Sequence, residues 1–161
     1  MKEIPLTQGK VALVSDEDYE YLSQFKWHAA SCRGRFEARR KVMDGDKLRS
    51  IRMHNIILGA KSVDYVDGNA LNNQRDNLRP CSRAQNGQNR KIQKHSSRFK
   101  GVSFWKLPGK YAASIRVFGK RIHLGYFDNE VDAAKKYDEA ASVHFGQFAR
   151  TNQQMGGYLA I

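Results

Sequence analysis

The chain of 161 residues is short of cysteine, of long apolar runs and of acid. Its two cysteines, Cys32 and Cys81, are too few and too far apart for a zinc site of paired cysteines, and they read as ordinary thiols. An expected cytoplasmic setting argues against a disulfide. Apolar runs last only a few residues, which excludes a transmembrane helix, and Met1–Lys10 lacks the apolar core of a secretion signal. No stretch shows the continuous apolar helical face of a membrane-surface protein, so no membrane partner is expected. The shortage of acid says most. Lys and Arg number 28 against 16 Asp and Glu, a formal charge of +12, which favours a polyanionic partner, nucleic acid first, over an acidic small molecule.

That charge is unevenly spread. From Ser82 to Phe127 there are eleven Lys or Arg and no Asp or Glu, whereas a surface that serves solubility alone mixes both signs. The stretch reads as an electrostatic footprint. Short alternating segments over Ile4–Arg52, with Gly34 and Asp44-Gly45 as turns, predict a small antiparallel sheet. Asp16–Leu22 and Met53–Leu58, the latter stopped by Gly59, predict two short helices. Gln88–Arg98 is basic and almost without apolar residues, a linker that can order on a groove. Beyond it, Gly101–Trp105, Tyr111–Val117 and Arg121–Phe127 alternate as three strands separated by Pro108-Gly109 and Gly119. A helix capped at Asn129 follows, with Val131, Ala134, Tyr137, Ala140 and Ala141 offering a small-residue face. The whole is an α+β chain: 1–90 as an N-terminal sheet plus a second small module, 91–98 as linker, 99–152 as a sheet-and-helix domain, 153–161 as tail.

In the three C-terminal strands, alternate side chains share a face. Ser103 and Trp105, Ser114 and Arg116, Arg121 and His123 fall on one side, while Val102, Ile115 and Leu124 face the helix. Arg suits guanine edges, Lys suits phosphates, and Trp and His add stacking. The run Lys100–Ser103, Gly109–Arg116, Arg121–Phe127, Ala133–Ala141, Gly146 and Asn152 resembles the AP2 domain across roughly residues 98–152. That resemblance implies a three-stranded sheet, backed by one helix, lying in the major groove of double-stranded DNA. It implies contacts from Lys100, Ser103, Trp105, Ser114, Arg116, Arg121 and His123, with the linker cations Arg90, Lys91, Lys94 and Arg98 beside them. Ser103, Trp105 and Ser114 differ in type from the plant members, so the docking mode carries over and the target sequence does not.

The segment Val63–Asn69, Asn72–Arg79 and Asn86 is dense in Asp, Asn and Gly, and its spacing resembles the HNH (ββα-metal) modules of phage homing endonucleases over about 40 residues. The resemblance implies a divalent metal, Mg²⁺ or Mn²⁺, held by Asp64 and Asn86, a loop closed by Asn77, and metal-dependent hydrolysis of phosphodiesters. It breaks at Tyr65, which stands where the family has its general-base histidine. Histidine, near 6.5, is ready to accept a proton at neutral pH, whereas tyrosine, near 10, is only ~0.1% ionised there. General-base catalysis contributes ~10²–10⁴-fold, so the chain is expected to be slow or inactive yet able to bind, and Tyr65→His to create or raise nicking. Nothing in the spacing shows that His54 or His95 replaces the base. Both a degenerate copy kept for DNA binding and an inactivated nuclease fit Tyr65, and the alternative to a nuclease is a non-catalytic DNA-binding or regulatory protein.

Overall fold

The computed structural model describes residues 1–32, 34–89 and 96–158, which divide into two units, Met1–Arg83 and Ala84–Ile161. In the first, β1 (Lys2–Pro5) and β2 (Val11–Val14) form a hairpin, and α1 (Asp16–Ser23) follows. A meander of β3 (His28–Cys32), β4 (Arg35–Asp44) and β5 (Lys47–Arg52) leads into α2 (Met53–Leu58), which Gly59 ends in the left-handed region at φ 61°. Strand β6 (Val63–Tyr65) comes next, then β7 (Asn72–Asn73) and β8 (Leu78–Pro80). Helix α3 (Arg83–Gln88) starts at the division between the units.

The single antiparallel sheet expected over Ile4–Arg52 is two sheets, because α1 separates the hairpin from the meander. Strand β2 pairs on its other side with β7, in parallel, a long-range bond that local alternation cannot announce. Ile4, Val14, Leu22, Trp27, Met53 and Tyr65 meet in one core. Helix α1 starts without a side-chain cap. Ser15 makes no cap to the helix; its Oγ accepts from the Arg75 N–H at 2.9 Å, while the Arg75 guanidinium grips Asp18 at 2.7 and 2.9 Å.

The second unit has the expected three strands and helix: β9 (Val102–Trp105), β10 (Lys110–Val117), β11 (Lys120–Phe127) and α4 (Glu130–Phe145), in sheet order β11-β10-β9. Asn129 caps α4 by accepting from the Asp132 N–H at 2.8 Å. Ala133, Ala134 and Ala141, each fully buried, let the helix approach Val102, Ala113 and Ile115 closely. The closest approach is at Gly101. Its φ is +79°, and a Cβ there would lie 1.9 Å from the Tyr137 ring.

The segment after α4 is tied back by buried polar groups. The Asp138 carboxylate accepts from Asn152 N, Asn152 Nδ2, Gln153 N and Tyr158 Oη at 2.6–3.0 Å. Asn152 in turn accepts from the Lys100 N–H at 2.7 Å and donates to its carbonyl at 3.2 Å. Gln153–Tyr158, expected as tail, is thereby held against α4, and Gln153–Met155 forms a 3-10 turn. Gly101→Ala is expected to destabilise this unit by about 3 kcal/mol or more, since left-handed strain adds to the overlap with Tyr137, as urea denaturation will measure.

Candidate functional site

One face of the C-terminal sheet is occupied by α4; the other carries most of the predicted contacts. Pairing places Trp105 opposite Lys110, Ser103 opposite Ala112, Ser114 opposite His123 and Arg116 opposite Arg121, so these side chains stand on the face away from the helix. A bulge organises its far edge. Ala113 pairs with Gly125 and Ser114 with His123, leaving Leu124 as the extra residue. The bulge resets the alternation and turns Tyr126 outward, where its ring packs 4.5 Å from His123 and 5.9 Å from Trp105. Tyr126 is therefore a face residue that strict alternation misses; a glycine inside a strand, Gly125, is the signal that could have found it.

The predicted contacts are not equivalent. Arg116, Arg121, His123 and Trp105 are exposed, and Arg121 Nε donates to Ser114 Oγ at 3.1 Å, so the serine aims the arginine. Ser103 is half-buried, and its Oγ is buried without a hydrogen-bond partner among the described residues. Lys100 lies apart from that exposed face. Its Nζ donates to the carbonyls of Gln88 at 2.6 Å and Arg150 at 3.2 Å, and burial, then the nearby Arg150 charge, push its pKa down to about 8. It braces the fold. Arg98 lies over the Phe99 ring and 3.3 Å from Glu130. Arg90, Lys91 and Lys94 lie outside the described residues, as does His95.

In the N-terminal unit, β6, its loop and β8 give the Asp- and Asn-rich stretch an internal purpose. Asn77 Nδ2 donates to Asp67 Oδ1 at 3.0 Å and to the Asn72 carbonyl at 2.8 Å, and its Oδ1 accepts from the Asp67 N–H at 3.0 Å. Asp67 also accepts from Asn69 N and Asn72 Nδ2. These side chains replace the sheet bonds that so short a pair of strands lacks.

Tyr65 points into the core. It is buried, and its Oη lies 2.5 Å from His54 Nδ1, a hydrogen bond whose direction follows the imidazole tautomer. The rings meet edge to face, 5.2 Å apart. Burial pushes the phenol well above its ordinary value, with the Glu37 charge adding to it, which takes Tyr65 further from base chemistry. Glu37 is itself held down: burial raises it, but Arg39 at 2.7 Å and Arg52 at 3.1 Å prevail.

Asp64, the expected metal carboxylate, is buried, and its Oδ2 accepts from Arg79 Nη2 at 2.6 Å and Nε at 2.9 Å, across the β6–β8 pair. Two charge-assisted bonds on one oxygen put a guanidinium where a cation would bring its charge, so the site in this arrangement does not fit Mg²⁺ or Mn²⁺. Asn86 stands on α3, beyond the division at Arg83, and is half-buried. Among the described residues, no three His, Cys, Asp or Glu gather as a metal-binding group. None of the helices among them is long and apolar enough to cross a membrane.

Against known proteins, the chain shows two likenesses. Over 63 residues, 39% of its length, it is 38% identical to the AP2-like ethylene-responsive transcription factor TOE2 of Arabidopsis thaliana and 40% identical to APETALA2-like protein 2 of Oryza sativa. The match spans only 13% and 14% of those plant proteins. Over 152 residues it is 26% identical to a protein of Acanthamoeba polyphaga mimivirus named as an uncharacterized HNH endonuclease, L560, covering 91% of this chain and 76% of the viral one. No family model matches.

The buried His54 supplies a pH test. Burial, the largest influence on it, pushes its pKa down to about 4, against about 6.5 in the unfolded chain. Below pH 6.5 the unfolded state therefore takes up a proton that the folded state resists. The stabilisation is complete above 6.5 and is lost as pH falls towards 4, by about 3 kcal/mol in all. His54→Asn keeps an acceptor where Nδ1 sits and removes the titration. Urea denaturation at neutral pH and near pH 4.5 is expected to show a smaller acid loss in the variant than in the parent.

Proposed function

We propose that the chain is a sequence-directed binding protein for double-stranded DNA, and that its HNH-like N-terminal unit serves binding without turnover. The observation that carries the reading is the free face of the C-terminal sheet, where Arg116 and Arg121 stand opposite each other beside Trp105, His123 and Tyr126. A sheet of this width enters a major groove, the arginine forks match guanine edges, and the aromatic rings supply apolar contact such as a thymine methyl offers. Likeness to proteins named as AP2-type transcription factors favours the same reading.

The reading without turnover rests on three features of the N-terminal unit. The phenol of Tyr65 is committed to His54, its proton is harder to remove than usual, and the Asp64 carboxylate is committed to Arg79. A nuclease reading, favoured by the likeness to the mimivirus protein, needs Asp64 released and a base supplied.

Duplex binding is expected to weaken steeply as salt rises, because each phosphate met by Lys or Arg releases counterions; filter binding over a salt series checks this, and a flat response contradicts the reading. Arg116→Ala and Arg121→Ala should each lose about 1–3 kcal/mol on a preferred site selected from a random duplex pool, and less on bulk DNA. Equal losses on both would reassign them to the phosphate backbone. In a plasmid nicking assay with Mg²⁺ or Mn²⁺ the parent is expected to leave supercoiled DNA intact, with binding unchanged by EDTA. Nicking by the parent overturns the reading. A gain in Tyr65→His that disappears on adding Asp64→Ala shows that the phenol alone silences an otherwise complete centre.

A further inference from the structure

The β10–β11 hairpin closes through two residues, Phe118 and Gly119, between the paired Val117 and Lys120. Both have positive φ, 49° and 80°. Two-residue turns of this hand favour Asn-Gly or Asp-Gly, because the left-handed conformation crowds the Cβ of a bulky residue against its own backbone. Phenylalanine stands there, and the residue is 100% exposed. It belongs to neither apolar cluster of its unit. The position is thus unfavourable twice over in the isolated protein, once for the backbone and once for an uncovered aromatic ring.

The charges around it indicate what covers it. Arg116, Lys120 and Arg121 flank the turn, and among the described residues none of the three forms an ion pair, whereas Lys110, Lys135 and Lys136 of the same unit each lie within 4.0 Å of a carboxylate. The turn also belongs to the stretch from Ser82 to Phe127 that contains no acid. A protruding aromatic ring ringed by unpaired cations complements a polyanion that has stacked apolar layers within it. Duplex DNA has that construction, and apolar side chains inserted at base steps unstack and kink it.

We propose that Phe118 is a wedge that the hairpin inserts between adjacent base pairs of duplex DNA, with Lys120 meeting the neighbouring phosphate. The inference rests on the DNA-binding reading above and adds to it a mode of contact in which the tip, as well as the sheet face, engages the duplex. The two-residue turn leaves the ring little backbone freedom, so it arrives already projected. Stacking on bases supplies the partner that the fold denies it.

The test uses the full chain, a mixed-sequence duplex pool followed through fluorescence anisotropy, and Phe118→Asn. Asparagine tolerates the left-handed turn, so the variant is expected to melt higher, by about 3–8 °C, while binding the pool about tenfold more weakly. Phe118→Trp, which keeps an aromatic ring, is expected to retain affinity within about threefold. With the duplex ends labelled for energy transfer, the parent should shorten the end-to-end distance and Phe118→Asn should not. A variant that binds and bends the pool as the parent does overturns the wedge while leaving the DNA reading intact. A parent that fails to bind the pool at low salt overturns both. If Phe118→Asn leaves DNA binding unchanged and abolishes self-association in sedimentation, the ring docks on a second copy and the wedge is again overturned.

Discussion

The C-terminal unit depends on one buried carboxylate. Asp138 is nearly inaccessible, yet it receives four hydrogen bonds, all from the segment that follows its own helix. A buried charge with that many donors is stabilised where an unpaired one would be severely penalised. Asn152 extends the arrangement to both backbone groups of Lys100, at the entrance to β9. Glu130, at the start of α4, fastens the preceding residues by accepting from Ser97 Oγ and the Arg98 N–H. The chain on both sides of the sheet is thus anchored to the helix by polar groups, which leaves the outer face to side chains with no packing duty.

The N-terminal unit solves a different problem with similar means. Strands of two or three residues, such as β6, β7 and β8, form few ladder bonds, and the nine residues between Tyr65 and the 3-10 turn Arg75–Asn77 need internal partners. Asp67, Asn72 and Asn77 supply them, and Arg75 fastens the loop to α1 through Asp18 and Ser15. Tyr65 fits the same account. With His54 as partner, its hydroxyl is hydrogen-bonded inside an apolar core, so the side chain closes a buried polar gap.

How far the sequence disclosed this differs between local and long-range features. The three C-terminal strands, the Asn129 cap, the Gly59 stop and the helix-facing Val102, Ile115 and Leu124 follow from periodicity and turn chemistry, which act within a few residues. The parallel pairing of β2 with β7, the Asp64–Arg79 pair and the commitment of Lys100 to two carbonyls join residues that local pattern cannot connect. Lys100 is the plainest case: local pattern places the residue in the chain, but the partners of its amine depend on what the fold brings beside it. The bulge at Leu124 lies between these cases. One extra residue changes which aromatic ring faces outward, and only the glycine beside it marks the place.

The two units also distribute stability and recognition in opposite ways. In the N-terminal one, the residues nominated by the HNH resemblance are buried and mutually satisfied: Tyr65 by His54, Asp64 by Arg79, Asn77 by Asp67 and Asn72. In the C-terminal one, the outward residues keep their polar ends towards solvent, with Arg121 steadied by Ser114 and the rings of Trp105, Tyr126 and His123 steadied by one another. Side chains held in place by neighbours, rather than neutralised by them, lose less entropy when a ligand arrives. Preorganised exposure of that kind suits a surface that meets a ligand, whereas internal neutralisation commits charge and proton affinity to the fold. The same contrast means that a change at position 65 reaches the core of its unit first, whereas a change on the sheet face leaves the core of its unit in place.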